Sequence, residues 1–367
     1  MNIYIVDYLG IHCGMHYYLQ SFKSLLKSGG NNNVELLSNF PDDNKKVFFR
    51  NQYFGTSINK IRALIINYLT LLKFVKKHKK DCFIFLSYGN IIEIPFICTL
   101  TTLKKHLIDV HEVIAQHKDQ NKIHLSLFRT LYKNKIKSII LHSERSRSFV
   151  NSFGYRGKVF TVPHVSYTIQ KDINKDSLSE EIINAFREKK TNILFFGNVN
   201  FNKGVDILID AVNRLDEVDK NKLHVVIAGK NFDDSIYAVK PSDPSLFTLL
   251  IRHIEDNELI YLYEHADFIA MPYRKTSQSG VLEMAFYFKK PVIASSIPYF
   301  KQVLLNYPSF GIIGEGTISE TDYSNIIKQA LNTNYEYFSE NDYSRYMNRS
   351  EFKSFIEEFN DWVNNED

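Results

Sequence analysis

Lys203 stands in a loop whose composition suits the binding of a phosphate group. The loop Gly197–Gly204 follows the apolar run NILFF and precedes the helical run VDILIDAVNRL. A turn between a strand and a helix offers backbone N–H groups and the positive end of a helix dipole, and the lysine adds an ammonium group. The alternative is a solvated lysine in an ordinary turn, which is common in α/β proteins.

This loop has the glycine-to-lysine spacing of a P-loop but lacks the rest of that motif. Asn202 occupies the place of the second glycine, and Gly204 that of the magnesium-binding Ser or Thr. The sequence has no GxGxxG after its first apolar run, no GxSxG and no HExxH, which argues against a dehydrogenase, a serine hydrolase and a zinc protease. It also has no Asp-x-Asp pair, so we expect no metal site.

A second polar loop has the sequence RKTSQSG and spans Arg274–Gly280, between the apolar run ADFIAMPY and the helical run VLEMAFYFKK. Ser, Gln and Gly residues at a helix start leave outward-facing backbone N–H groups, which favour an anion. Glu283 lies one turn into this helix. Its carboxylate either stabilises the helix dipole or accepts hydrogen bonds from a ribose diol, and both interpretations stay open.

Four segments resemble, in their order and spacing, the donor half of GT-B glycosyltransferases of family 4, also called group 1. They are FFGNVNFNKGVDILIDA, LHVVIAGK, NELIYLYEHADFIAMPY and SGVLEMAFYFKKPVIAS. The resemblance is strong over the second half of the chain and loose over the first. It implies two Rossmann-like parallel-sheet domains facing a cleft, a nucleotide-diphosphate sugar as donor, and transfer with retention of configuration.

The resemblance also implies roles for single residues. Lys203 and the helix start would hold the diphosphate, with Lys203 acting in catalysis, and Glu283 would hold the ribose. Two positions depart from the family, since Lys275 replaces a glutamate near the transferred sugar and Asn198 replaces an arginine. We predict that Lys275 contacts the transferred sugar, and we make no prediction of which sugar this is. The full set of predicted donor-binding residues is Gly14, Gly197, Asn198, Lys203, Ser277, Gln278, Ser279, Gly280 and Glu283.

The first half contributes His111 as the second candidate catalytic residue. His111 follows the run LIDV, at the strand end where ligands collect in such sheets, and it resembles a histidine of the family's interdomain cleft. The alternative is a buried histidine with a structural role. Asp109 and Glu112 flank His111 and would orient its ring, and His164 is a further candidate. Gly14 resembles the family's glycine beside the diphosphate, with an ordinary turn as the alternative.

Short apolar runs alternate with helical segments along the whole chain, which is typical of strands covered on both faces and joined by helices. The sequence predicts twelve such strands, namely Asn2–Leu9, Val34–Leu37, Cys82–Leu86, His106–Val110, Ser138–His142, Val159–Val162, Asn192–Phe196, Leu223–Ala228, Phe247–Ile251, Phe268–Met271, Pro291–Ala294 and Phe310–Ile313. We therefore predict the α/β fold class with two parallel sheets.

The polar stretch Ser166–Lys190 predicts a domain boundary. We expect an acceptor-binding domain over residues 1–168, a nucleotide-sugar-binding domain over residues 190–345, and a C-terminal helix over residues 346–367. The last helix places four aromatic residues on one face, namely Phe352, Phe355, Phe359 and Trp362, and should pack against the protein.

Charge is unevenly distributed along the 367 residues, although the net charge is only +4. Residues 1–165 contain 24 Lys and Arg against 10 Asp and Glu, and the remainder contains 21 against 31. The segment Lys60–Lys80 has seven basic residues and no acidic one, with apolar residues at helical spacing, namely Ile61, Leu64, Ile65, Leu69, Leu72 and Val75. It predicts either a core helix with a basic outer face or a surface helix attracted to anionic lipid.

The remaining composition bears on location and partners. The three cysteines match no metal-ligand spacing, and their odd number is typical of a reducing compartment. We expect a cytoplasmic protein, peripheral on the inner face of the membrane if the basic segment binds lipid. No nucleic-acid-binding module is recognisable, so nucleic acid is not expected as a partner.

These observations predict a glycosyltransferase that needs no cofactor and moves a sugar from a nucleotide-activated donor to a lipid-linked or polysaccharide acceptor. Two alternatives stay open. One is a sugar-nucleotide epimerase or phosphorylase of the same fold. The other is a non-catalytic GT-B scaffold or sugar-nucleotide-binding subunit of a partner transferase, which the loss of the usual glutamate at Lys275 favours.

Overall fold

The computed structural model describes residues 1–10, 14–30, 33–42, 46–51, 55–111, 122–167, 177–276, 278–315, 320–332 and 337–365. Contacts divide the chain into two units. The first is Met1–Thr168 with Arg349–Asp367, and the second is Ile169–Asn348. Each unit contains a parallel sheet of six strands flanked by helices, so the predicted α/β fold class with two parallel sheets is confirmed.

The sheet of the first unit has the strand order β2-β1-β3-β4-β5-β6. Its strands are β1 Ile3–Val6, β2 Val34–Leu37, β3 Cys82–Ser87, β4 His106–Val110, β5 Ser138–Leu141 and β6 Lys158–Thr161. All residues of β3 and β4 are buried, as expected of strands covered on both faces. β1 ends before the predicted Leu9, because the Asp7 carboxylate accepts the Leu9 N–H at 3.0 Å and closes a turn.

In the part of this unit that the structure describes, five α-helices connect the strands, namely α1 His16–Ser28, α2 Ser57–Lys77, α3 Ile94–Leu100, α4 Lys122–Lys135 and α5 Glu144–Ser152. Side-chain hydroxyls start two of them. Thr56 accepts the Asn59 N–H at the start of α2, and Ser143 accepts the Ser146 N–H at the start of α5. No helix within the described ranges is both long enough and apolar enough to cross a membrane.

The sheet of the second unit has the strand order β12-β11-β10-β7-β8-β9. Its strands are β7 Thr191–Phe196, β8 Leu223–Ala228, β9 Phe247–Leu250, β10 Phe268–Met271, β11 Val292–Ala294 and β12 Gly311–Ile313. The first strand of this unit, β7, lies beside both β8 and β10, so the winding of the chain reverses between β7 and β10. Such a reversal is the topological switch point of a Rossmann-type sheet.

The described residues of the second unit form eight α-helices, namely α6 Glu180–Ile183, α7 Val205–Asn213, α8 Glu217–Lys220, α9 Asp256–His265, α10 Gly280–Tyr287, α11 Pro298–Asn306, α12 Glu320–Asn332 and α13 Glu340–Met347. The core of the unit is formed by apolar residues of the central strands, α7 and α12. Within this core, α7 buries six of its nine residues, because apolar residues occupy most of its positions.

The last helix, α14 Ser350–Asn364, belongs to the first unit although it follows the second in the chain. Its Phe359 ring lies 6.2 Å from the Phe160 ring of β6. The Lys105 ammonium donates to the Trp362 carbonyl at 2.7 Å and so satisfies an end group of the helix. A Cβ atom at Gly29, after α1, would lie 2.2 Å from a methyl of Ile356, so glycine permits this close approach.

Candidate functional site

The two polar loops of the second unit lie at the carboxyl edge of its sheet, at the switch point. The loop Gly197–Gly204 follows β7, and the loop that contains Arg274 follows β10, which pairs directly with β7. At a switch point of an open α/β sheet, the connections leave the two neighbouring strands toward opposite faces, and ligands bind in the crevice that this opens at the carboxyl edge. The topology therefore brings together two loops whose nearest ends, Gly204 and Arg274, are 70 positions apart in the sequence.

Specific contacts hold the two loops together. The Arg274 N–H donates to the Asn202 carbonyl at 2.9 Å. The Arg274 guanidinium binds both carboxylate oxygens of Asp206 at 2.8 and 2.6 Å. Gly204 has φ +70°, and a Cβ there would lie 2.0 Å from the Pro272 carbonyl oxygen, so only glycine fits. The Arg274–Asp206 pair was not predicted from the sequence, because a contact over 68 positions leaves no local pattern.

Lys203 is held beside the second loop. Its ammonium lies 3.8 Å from the centre of the Tyr273 ring, a cation–π arrangement. The Asn200 side chain accepts the Lys203 N–H at 3.1 Å and orders the backbone of the turn. At the start of the same loop, Gly197 has φ +111° and Asn198 is exposed. The predicted roles of these residues toward a donor stay predictions.

The start of α10 provides the second part of the candidate site. Ser279 caps the helix, since its hydroxyl accepts the Leu282 N–H at 3.3 Å. The helix itself begins at the predicted Gly280. Gln278 is half-buried and Lys275 is exposed. Ser277, also predicted to bind the donor, lies outside the described residues.

Glu283 is buried in the first turn of α10, with 2% of its surface exposed. Its Oε1 accepts a hydrogen bond from the hydroxyl of Tyr346, in α13, at 2.6 Å. Tyr346 is itself buried, so the carboxylate is held in a defined orientation. This hydrogen bond was not predicted from the sequence, and it gives Glu283 a structural role. The two earlier interpretations, stabilisation of the helix dipole and binding of a ribose diol, both stay open.

In the first unit, three histidines follow three consecutive strands at the carboxyl edge of the sheet. They are His111 after β4, His142 after β5 and His164 after β6. The ring centres of His111 and His142 are 4.5 Å apart, and the Tyr18 ring of α1 packs edge-on against both. The structure thus places His111 near His164, the two histidines that the sequence singled out as candidates. A third histidine, His142, joins them, although from the sequence it was predicted only as the end of a strand.

Asp109 is the shared acceptor of this cluster, and its side chain is 1% exposed. It accepts the Tyr18 hydroxyl at 2.6 Å, and its Oδ1 lies 2.7 Å from His142 Nε2 and 3.4 Å from His111 Nε2. Burial raises the pKa of Asp109, but His111 and His142 outweigh it and hold this pKa below its usual range. Burial lowers the pKa values of His111 and His164. Glu112, the other predicted orienting residue, lies outside the described residues.

The donor atoms of Asp109, His111 and His142 lie within 4.8 Å of one another, which raises the question of a metal ion. Two ligands of a tetrahedral zinc ion, at bonds of about 2.0 Å, are separated by about 3.3 Å. The 2.7 Å between Asp109 and His142 is instead a hydrogen-bond distance. The arrangement therefore fits a hydrogen-bonded cluster better than a set of metal ligands.

Two more buried acids lie at the same edge of the first sheet. Asp7 follows β1 and accepts the Tyr88 hydroxyl at 2.9 Å, and Glu93 accepts the Tyr88 N–H at 3.0 Å. Burial raises the pKa of Asp7 to about 6 and that of Glu93 to about 7. Neither residue was predicted from the sequence, although Asp7 stands directly after the first apolar run, at the strand end where ligands collect in such sheets. The predicted Gly14 leads into α1 with φ +71°.

The comparisons with known proteins agree with this architecture. Residues 177–346 match the family described as Glycosyl transferases group 1. No curated protein sequence matches the chain significantly. Sucrose-phosphate synthase from Thermosynechococcus elongatus is similar in structure, with a TM-score of 0.69, 12% identity, and coverage of 99% of this chain and 98% of that one.

Two further solved structures are similar over 99% of this chain and 99% of their own, each with 14% identity. One is Anabaena HepE in complex with UDP and glucose, with a TM-score of 0.66. The other is WaaG, a glycosyltransferase involved in lipopolysaccharide biosynthesis, with a TM-score of 0.64. Identities this low establish a common fold, which is GT-B. Together with the family match over residues 177–346, they confirm the predicted resemblance to the group 1 glycosyltransferases of the GT-B fold.

Proposed function

We propose that this glycosyltransferase moves a sugar from a nucleoside diphosphate to a saccharide or lipid-linked acceptor, with retention of configuration and without a metal ion. One observation carries the proposal: Lys203 and the start of α10 occupy neighbouring loops at the switch point of the second sheet. An ammonium group and outward-facing N–H groups suit the charge that develops on a leaving diphosphate. The similarity to HepE, which binds UDP and glucose, supports a uridine nucleotide as the first donor to test.

In this mechanism, positioning and electrostatics supply the rate enhancement. Lys203 and the N–H groups of α10 stabilise the leaving group as the bond to the sugar breaks, and Glu283 accepts the ribose hydroxyls. His111, in the first unit, contacts the reacting sugar or the acceptor. Preorganised donors of this kind are effective because they need no reorientation during the reaction.

Replacing Lys203 with alanine is expected to weaken the binding of a nucleoside diphosphate about 10- to 100-fold, because a charged hydrogen bond to phosphate is lost. The affinity for the corresponding nucleoside should not change. Calorimetry with uridine and UDP measures both effects, and Lys240→Ala, at an exposed lysine of the same unit, is the control. Equal losses for the two ligands would show that Lys203 acts only on the structure.

Glu283→Gln is expected to lower the affinity for UDP about tenfold and to reduce the preference for UDP over its 2′-deoxy analogue, if the carboxylate accepts ribose hydroxyls. The matched control is Tyr346→Phe, which removes the 2.6 Å bond but keeps the carboxylate. That variant should lose about 1 to 3 kcal/mol of unfolding free energy and keep the ribose preference. An unchanged preference in Glu283→Gln would assign the residue to stability alone.

A second candidate function is a non-catalytic sugar-nucleotide-binding subunit. The observation that favours it is the exposed Lys275, which stands where the family usually has a glutamate. Release of UDP from UDP-glucose and other UDP-sugars, with and without lipid extract as acceptor, distinguishes the two functions. Nucleotide binding without any UDP release across the donor panel would favour the subunit.

The proposal of a lipid-linked acceptor is supported by an exposed apolar strip on α2, formed by Ile58, Ile61, Ile65 and Leu69. These side chains are 78%, 58%, 53% and 47% exposed, respectively. A different face of α2, containing Ala63, Leu71 and Val75, is buried in the core. The interpretation as a core helix therefore applies to the buried face of α2, and the interpretation as a surface helix applies to its exposed face. Apolar residues beside basic ones at the surface are typical of a helix that lies in a membrane interface.

Binding to liposomes that contain phosphatidylglycerol is expected to be strong at low salt and to weaken near 0.15 M, where the Debye length is about 8 Å. Replacing Lys76, Lys77, Lys79 and Lys80 with glutamine should weaken it about a hundredfold or more, at ~1 kcal/mol per lysine. Sedimentation with anionic and neutral liposomes measures the effect.

The apolar strip is tested separately. Ile61→Ser with Ile65→Ser should also weaken liposome binding, since the buried apolar area is lost. The control replaces Ile183 and Leu305, which are exposed in the second unit, with serine. If the wild-type protein does not sediment with anionic liposomes even at low salt, the acceptor need not be on a membrane.

A further inference from the structure

Both ring nitrogens of His142 face hydrogen-bond acceptors. Nδ1 lies 3.0 Å from the Val162 carbonyl oxygen, and Nε2 lies 2.7 Å from Asp109 Oδ1. A neutral imidazole has only one N–H group, so it can donate to only one of these oxygens. Both contacts are satisfied when the ring carries two protons, which makes His142 an imidazolium paired with the Asp109 carboxylate.

The alternative place for the second proton is Asp109, and the structure argues against it. Oδ2 of Asp109 accepts the Tyr18 hydroxyl at 2.6 Å, and the Nε2 atoms of His142 and His111 face Oδ1 at 2.7 and 3.4 Å. A hydrogen bond donated to one oxygen and two imidazole rings beside the other favour the ionised carboxylate. The side chains of Asp109 and His142 are 1% and 3% exposed, and a buried charge requires a partner of opposite sign.

His111 shares the same carboxylate oxygen. Its Nε2 lies 3.4 Å from Asp109 Oδ1, and its ring centre lies 4.5 Å from that of His142. The Tyr18 ring meets the His111 ring at 90° and limits its rotation. An imidazolium at His142 disfavours a second positive charge at His111, while the carboxylate draws the His111 proton to Nε2. His142 thus affects both the charge and the tautomer of its neighbour.

We propose that His142 is a positioning residue for the glycosyl transfer: a buried imidazolium whose positive charge disfavours protonation of His111, and whose pairing with Asp109 keeps that carboxylate ionised, so that it orients the His111 ring. The proposal rests on the proposed function for its kinetic part only. Among the residues that the structure describes, the titratable groups that face His142 are Asp109, His111, His164 and Tyr18. His142 itself makes no contact with substrate in this proposal.

NMR of histidine-labelled protein tests the charge state directly. The side-chain nitrogens of His142 should both be protonated at pH 7 in the wild type, because each of them faces a hydrogen-bond acceptor. His106 is an internal control in the same sheet, because its Nδ1 faces the Leu103 carbonyl at 3.1 Å while its Nε2 accepts the Lys137 N–H at 3.4 Å. That environment requires a neutral ring with one proton. A neutral His142 at pH 7 would overturn the proposal, as would one tightly bound zinc ion per chain that His142→Gln removes.

The effect on His111 is tested with His142→Gln, which can still donate a hydrogen bond but carries no charge. Without the imidazolium, His111 should titrate at higher pH, and the acidic limb of the kcat/KM profile should move to higher pH with it. We expect kcat to fall about 10- to 100-fold, with little change in KM for the donor. The control is His106→Gln, which should leave the titration of His111 unchanged.

The two proposals fail in different ways. If the wild-type protein shows no transferase activity, the proposed function fails, but the NMR titration of His111 in the wild type and in His142→Gln still decides whether His142 controls its charge. If the protein is active and His142→Gln leaves both the titration of His111 and the pH profile unchanged, His142 is only a structural residue. Should His142→Gln not fold, the wild-type NMR result at pH 7 still confirms or refutes the imidazolium.

Discussion

Replacing His111 with alanine is expected to lower turnover by about 10²- to 10⁴-fold while the affinity for the donor nucleotide stays close to that of the wild type. This range is typical for the loss of a side chain that transfers or orients a proton in the reaction. The side chain of His111 is 7% exposed and is held by Asp109 and Tyr18, so its position is well defined. The candidate donor-binding residues Lys203 and Glu283 belong to the other unit, which is why binding should not change.

Single-turnover kinetics and calorimetry with UDP measure the two quantities separately. His111→Asn is a useful companion, since it keeps a polar side chain in the buried cluster. Thermal unfolding of both variants shows whether a loss of turnover reflects loss of structure. A folded His111→Ala variant that turns over at the wild-type rate would reject the catalytic role and leave the structural one.

Replacing Phe359 with alanine is expected to destabilise the first unit by about 3 to 5 kcal/mol, the usual cost of removing a buried Phe side chain. Phe359 is fully buried, and its ring packs against those of Phe160 and Phe355. The effect should be confined to the first unit, because α14 is part of that unit although the second unit precedes it in the chain.

The chain offers a direct probe of this prediction. Trp362 is the only tryptophan of the protein and lies on α14 itself, so its fluorescence reports the loosening of this helix during denaturation. The matched control is Phe352→Ala, the same substitution at a half-buried position of α14, where a smaller loss is expected. Equal effects of the two substitutions would mean that α14 does not depend on its buried face.

The sequence by itself determined the fold class and the strands. All twelve predicted strands are present, because buried parallel strands require continuous apolar runs, and a run such as LHVVIA has few other ways to bury its side chains. The candidate loops after β7 and β10 were also visible, since a polar loop between a strand and a helix is a local pattern. The resemblance to a known family then assigned roles to Lys203, Glu283 and His111.

Only the tertiary structure decided which polar side chains meet. The pairing of Arg274 with Asp206, the bond from Tyr346 to Glu283, and the contact between His142 and Asp109 each join residues distant in sequence. The same holds for α14, which packs on the first unit, and for the exposed strip of α2, whose apolar spacing alone did not distinguish core from surface. The physical reason is that apolar periodicity reports which residues are to be buried. The partner of each buried polar group depends on strand order and helix packing, which bring distant parts of the chain together.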